Sequence, residues 1–381
     1  MTMNKWGCAP ISRSETEARS RREPPRDLRM LTFERSRRDF LKGLAALGAL
    51  PFLSGNALGR LGARTGDRPD DVPGLFYKAR TFSVGHFKEL QNDVDSLRRA
   101  NKLSRNATYR SYVDSKKFVV PPGFPEATSV IILAVKAPML RFDAQFRGRR
   151  HPLMLSPQYF DDGVTLAGIE AALRRDIVKD PAVRLEPAQG FHLKLMAVRS
   201  GLGRYGRNNI CYVEGMGTFL ALFAYLTDAP GLEDSWHRLA MLDACRDCVI
   251  CYGICPTNAI RREEFVIDAG RCITLYNEID GAFPNWILPS MHNALMGCMK
   301  CQLGCPENEK VGFAVLKGED LDEEETAGIL AGTPDGRILE SLGRKLRGFP
   351  PAVDRTQFPI LTRNLRALLH PGVLARTPSA S

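Results

Sequence analysis

Hydrophobic positions divide this chain into stretches of different period. Between residues 86 and 103, Phe87, Leu90, Val94 and Leu97 recur at steps of three and four, the spacing of one face of an amphipathic helix. Residues 129–135 are continuously apolar and largely β-branched, which predicts a short strand buried on both faces. A helix is expected after Asp161-Asp162, with Val164, Ile169, Leu173 and Ile177 on one face and an aspartate as its cap. Residues 191–200 read as a further helix, and 210–213 and 218–227 as strands joined by 214–217. Residues 121–125, Pro-Pro-Gly-Phe-Pro, mark a turn. Helix and strand periods thus mix over 76–232, which predicts an α/β (α+β) domain with its own core. Residues 58–75, rich in Gly, Arg, Asp and Pro, read as a linker. An acidic run at 318–326 reads as a solvated helix start, and 313–381 as a helical C-terminal extension.

Over residues 233–312 cysteine spacing takes over from hydrophobic period. The stretch from Cys245 reads C-x2-C-x2-C-x3-C-P, a lone Cys272 follows, and C-x2-C-x3-C-P begins at Cys298. Eight of the ten cysteines fall here, and two cuboidal clusters need eight thiolates. The spacing is that of a bacterial ferredoxin with two [4Fe–4S] clusters, in which the fourth cysteine of a run crosses to the other cluster. One cluster is therefore assigned to Cys245, Cys248, Cys251 and Cys305, and the other to Cys255, Cys272, Cys298 and Cys301. Pro256 and Pro306 follow the crossing cysteines, where a fixed φ turns the chain or starts a helix. Zinc knuckles would leave Cys251 and the Cys-Pro pairs unexplained. Disulfides are disfavoured because cysteines two or three residues apart rarely bridge.

Charge changes the picture at one end. Residues 1–57 carry eleven Lys/Arg against six Asp/Glu, half of the net charge of +10. The rest of the excess is thinly spread, with no basic run interleaved with aromatics, so charge gives no indication of a nucleic-acid partner. Ser36-Arg37-Arg38-Asp39-Phe40-Leu41-Lys42 precedes an apolar stretch and the small residues Gly55-Asn56-Ala57. This is the pattern of a twin-arginine export signal, and it predicts an extracytoplasmic, periplasmic protein with no transmembrane segment after the signal is removed. Cluster insertion before export agrees with that route, which moves folded proteins. Met30 is the expected start of translation, since the 29 residues before it make an unusually long and polar lead for such a signal.

Gly201-Leu202-Gly203-Arg204-Tyr205-Gly206 matches G-x-G-x-x-G, with Asp228 downstream. A dinucleotide fingerprint must leave a strand and open a helix, whereas here a helix-like segment precedes and a strand-like one follows. The glycine turn is instead expected to bring backbone close to another bulky cofactor, with Arg204, Tyr205 and Arg207 lining its pocket. Cys211 reads as a small core residue, and Cys8 falls outside the mature protein. His86, His151, His192, His237, His292 and His370 form no pair at ligand spacing.

Arg271-Cys272 through Glu278, Gly281-Ala282-Phe283-Pro284 and Gly297-Cys298 through Pro306 resemble the cluster segment of the epoxyqueuosine reductases. The stretch from Ser200-Gly201 to Gly217-Thr218-Phe219 and Thr227-Asp228 is similar to the segment that precedes the clusters there and in the reductive dehalogenases. The export signal resembles that of the dehalogenases. The resemblance implies a nitroreductase-like domain holding base-off cobalamin, fused to a ferredoxin-like domain that feeds it electrons. An acidic residue or a tyrosine would then stand over the cobalt. The region 156–162 matches neither family cleanly, and Tyr159 and Asp161 are its candidate catalytic acids. Two readings follow: an exported reductase of a small organic substrate, by dehalogenation or deoxygenation, or a periplasmic two-cluster electron carrier without cobalamin. Either needs an electron-donor protein or a quinone-linked reductase, and export argues against a tRNA substrate.

Overall fold

The computed structural model describes residues 75–369. Cys8, His370, the twin-arginine stretch and all but the last residue of the linker lie outside them. Strand β1 (Tyr77–Ser83) is followed by helices α1 (Phe87–Arg99) and α2 (Ala107–Asp114). On α1, Phe87, Leu90 and Val94 are buried, at the spacing read from the sequence. Strand β2 (Ser129–Lys136) pairs antiparallel with β1, and its residues 130–134 are wholly buried, which explains their unbroken apolar run.

Strands β3 (Met139–Phe146) and β4 (Arg149–Leu155) form a hairpin. Arg147 and Gly148 both take positive φ, the backbone of a two-residue type I′ turn. Helix α3 (Leu166–Asp176) is capped by Thr165, whose hydroxyl oxygen accepts from the Gly168 N–H at 3.0 Å. The expected aspartate cap is thus corrected. Asp161 and Asp162 accept from the Gly163 and Val164 amides two residues on, which closes a turn instead of starting the helix.

Strand β5 (Leu185–Pro187), helix α4 (Leu193–Arg199), the short pair β6 (Arg204–Tyr205) and β7 (Cys211–Tyr212), and strand β8 (Leu220–Thr227) complete this part. The main sheet has the order β1-β2-β8-β5, all antiparallel. Its core takes Ile169 and Leu173 from α3 and Leu195 and Met196 from α4.

The cysteine-rich segment contributes α5 (Ile250–Ile254), α6 (Ile273–Glu278), α7 (Lys300–Leu303) and α8 (Pro306–Val311). Strand β9 (Val315–Lys317) then pairs parallel with β3. Helices α9 (Glu323–Ala331), α10 (Gly336–Lys345), α11 (Pro350–Val353) and α12 (Phe358–Leu368) follow. They close a second core over the β3–β4 hairpin, in which Leu140, Phe142 and Leu155 meet Leu295, Ile329, Phe349 and Leu365. Helix α12 also fastens the segment between the cysteine motifs. Arg363 donates to the carbonyls of Tyr276 and Ile279, and Asn364 to those of Asn277 and Leu295. Among the described residues no helix is long and apolar enough to cross a membrane.

Candidate functional site

The eight clustered cysteines are all free thiols. Cys245 ends a 3-10 turn, Cys251 lies within α5, and Cys272 and Cys305 stand at the N-caps of α6 and α8. Pro306 opens α8, as a fixed φ allows at a first helical position.

Electrostatic neighbours gather the thiols into two groups that meet at Cys301. Burial raises the Cys251 thiol to about 11, and the neighbouring Cys245, Cys248 and Cys305 push it the same way. Burial raises Cys298 to about 12, with Cys272 and Cys255 adding to it. Cys301 is pushed up by burial, then by Cys298 and Cys272, and then by Cys251 of the other group. The thiolate is the form that binds metal, so such crowded, buried sulfurs ionise together only around a group carrying positive charge. The donor set, eight cysteines at the spacing of a two-cluster ferredoxin, fits [4Fe–4S] clusters.

The segment before the cysteines grips this region. Arg207, 3% exposed, donates to the carbonyls of Cys245, Arg246 and Cys248, at 3.1 Å to Arg246 and 2.9 Å to Cys248. Asn208 donates to the Cys301 carbonyl at 3.4 Å, and the Tyr212 hydroxyl donates to Cys305 Sγ at 3.0 Å. Burial first, and Cys305 second, push the Tyr212 phenol above its ordinary value, so it stays protonated. Asn308, just past Cys305, accepts from the Thr218 N–H at 2.9 Å and donates to its hydroxyl at 2.7 Å.

A Cβ on Gly201 would lie 2.5 Å from the His237 ring, one on Gly203 would lie 2.6 Å from Cys211 Sγ, and one on Gly206 would run into the Tyr212 ring. Protein fills the space on the Cβ side of all three, so the missing side chains serve internal packing. Arg207 bonds the cysteine loop. Of the six residues expected at a cofactor, Tyr205 alone lines a cavity, stacked on Phe265 at 4.4 Å between ring centroids.

That cavity is about 450 Å³ and is lined by Cys255, Cys272, Cys298 and Cys301 together with Tyr159 and Glu278. Tyr159 reaches it because β4 runs on beside residues 295–296, with the Leu295 N–H donating to the Met154 carbonyl at 2.8 Å. Asp161 is not among its lining residues; its backbone N–H and carbonyl are both bonded to Arg347. Glu278, 3% exposed, was quoted above only for its place beside Cys272, and no pattern marked it as a cavity residue. The fasteners Tyr212 and Asn308 carried no sequence signal, since each acts across 90 residues or more.

Residues 244–308 match the family described as 4Fe-4S double cluster binding domain, and residues 36–54 match the TAT (twin-arginine translocation) pathway signal sequence. The epoxyqueuosine reductase of Escherichia coli is 39% identical over 114 residues, 30% of this chain and 29% of that protein. The Staphylococcus aureus enzyme is 29% identical over 194 residues, 49% of this chain and 50% of that protein. The chain resembles the epoxyqueuosine reductases. It spans half or less of the length of these curated relatives. The epoxyqueuosine reductase structure from Bacillus subtilis shares the fold at a TM-score of 0.56 and 21% identity, over 78% of each chain. An epoxyqueuosine reductase solved with a modified tRNA stem loop aligns at a TM-score of 0.51 and 18% identity, over 78% of this chain and 79% of that one. That relative was solved with a nucleic acid, which overturns the exclusion of a nucleic-acid partner drawn from charge.

Proposed function

We propose that this chain is an iron–sulfur reductase, routed for twin-arginine export, that delivers electrons to a buried cavity where a carbon–oxygen or carbon–halogen bond is reduced. The observation that carries the reading is that four cysteines of one group and the Tyr159 side chain line the same cavity. Cys245, Cys248, Cys251 and Cys305 would hold one [4Fe–4S] cluster, and Cys255, Cys272, Cys298 and Cys301 the other. When bound, the clusters supply one-electron transfer.

The protein's own residues supply the remaining chemistry. Reductive cleavage of such a bond consumes two electrons and at least one proton, and Tyr159 is the proton donor in this reading because it lines the cavity. Asp161 is the weaker candidate, being absent from the cavity lining. Leu220, Ala221 and Leu222 wall the cavity, while Ser156, Gln158 and Asn208 supply polar groups, a balance that suits a flat, largely apolar ligand. Cobalamin on a nitroreductase-like domain is the finer form of the proposal; when bound, it would supply a cobalt-centred reductant. The cavity admits a small reducible group, either free or carried on a larger molecule. A periplasmic or other extracytoplasmic compartment is proposed from the signal.

Anaerobic purification followed by iron, sulfide and cobalt assays tests this reading. About eight irons and one cobalt per chain support the reductase. Iron alone supports a two-cluster electron carrier. If turnover of a halogenated or epoxidised substrate survives both Tyr159→Phe and Asp161→Asn, the catalytic assignment is wrong.

A further inference from the structure

Tyr212 is 5% exposed, and its hydroxyl proton is committed. The hydroxyl oxygen accepts from the Asn208 side-chain amide at 3.2 Å and donates to Cys305 Sγ at 3.0 Å. The Asn208 amide is itself oriented, because its carbonyl oxygen accepts from the Ile210 N–H at 3.2 Å. Gly206 also lies against the ring, where any side chain would collide with both the ring and the Asn208 side chain. A phenol has one proton, so this arrangement aims that proton at the sulfur.

Resting on the reading of Cys305 as a cluster ligand, we infer that Tyr212 sets the reduction potential of the cluster held by Cys245, Cys248, Cys251 and Cys305. Reduction adds negative charge that is shared with the thiolate sulfurs. A donor hydrogen bond to one sulfur stabilises the reduced form more than the oxidised form and raises the potential. Tyr212 is therefore a positioning residue for electron flow; it touches no substrate. The second group has its own donor, the Ala259 N–H to Cys255 Sγ at 3.3 Å; Tyr212 directs its proton at Cys305, and of the second group only Cys301 acts on the phenol, through charge and after Cys305. The cluster that group would hold serves as an internal reference.

The test is an EPR-monitored redox titration of the cluster-loaded, full-length protein and its Tyr212→Phe variant. Phenylalanine keeps the packing and removes the proton. One cluster signal is expected to shift so that, at a fixed applied potential, its reduced-to-oxidised ratio falls about tenfold, about 59 mV for a one-electron couple, with the other moving much less. Unchanged potentials, or equal shifts in both, overturn the inference while leaving the clusters in place. If the variant fails to load, fluorotyrosine at position 212 keeps ring and hydroxyl; its more acidic phenol should raise the same potential, and no movement overturns the inference. Wild-type protein that binds no iron sinks the cluster reading itself, and this inference with it.

Discussion

Gly297 stands so close to Ser156 that a Cβ on it would lie 2.5 Å from the Ser156 hydroxyl oxygen. The same atom would lie 3.2 Å from the Tyr159 ring, and Gly297 has φ +77°. This contact joins the second cysteine motif to the end of β4 and brings Cys298 and Tyr159 to one cavity.

Gly297→Ala should therefore be costly on two counts. An L-residue in the left-handed region loses about 1–2 kcal/mol, and forcing a methyl into packed surroundings adds about 1–3 kcal/mol. Ser156 cannot swing away freely, because its hydroxyl donates to the Met296 carbonyl at 3.3 Å. Anaerobic urea denaturation should show a lower midpoint, by about 2–5 kcal/mol in stability, with less iron retained per chain. An alanine variant as stable as wild type would show that the segment relaxes.

Arg207→Gln tests the grip on the first cysteine loop. The guanidinium satisfies three carbonyls at once, and a shorter amide reaches at most part of them. The loop carrying Cys245 and Cys248 should loosen while the second group, held by α12 through Arg363 and Asn364, keeps its shape. Iron analysis should fall from about eight toward about four per chain, and the remaining EPR signal should be that of a single cluster. Equal loss of both clusters would mean that Arg207 supports the whole segment.

These two residues also mark what the sequence makes legible. Period and spacing are local signals, so β2, α1 and the cysteine motifs can be read directly. The β3–β4 hairpin has a usable alternation, with Leu140, Phe142 and Ala144 buried and Arg141 exposed, but its turn is Arg-Gly, without the Asn-Gly cue. The glycine turn misleads for a physical reason. A missing Cβ signals close approach without saying whether a cofactor or the protein approaches, and here Cys211, Tyr212 and His237 do. Arg207 and Asn308 are polar residues in unremarkable local patterns. Their meaning is set by partners that only folding brings near.

Two histidines, the buried His292 and the half-buried His192, predict how stability depends on pH. Burial lowers His192 to about 4, and the charges of Lys116 and Lys194 act the same way. Burial lowers His292 to about 4, followed by Arg363 and Lys300. Both folded values lie below the ordinary 6.5, so between pH 6.5 and 4 the unfolded chain binds protons that the folded chain refuses. Stability contributed by the neutral rings is complete above about pH 6.5 and is lost progressively as pH falls toward 4. At about 1.4 kcal/mol per pH unit, each ring should account for about 2 kcal/mol between pH 7 and pH 5, before most carboxylates titrate. His292 packs against Phe283 at 4.6 Å between ring centroids, so His292→Leu removes the proton site while keeping an apolar filling. Urea midpoints of wild type and variant, taken anaerobically at pH 7 and pH 5, should change in the variant's favour as pH falls. A constant difference would mean that the ring is already solvated in the folded protein.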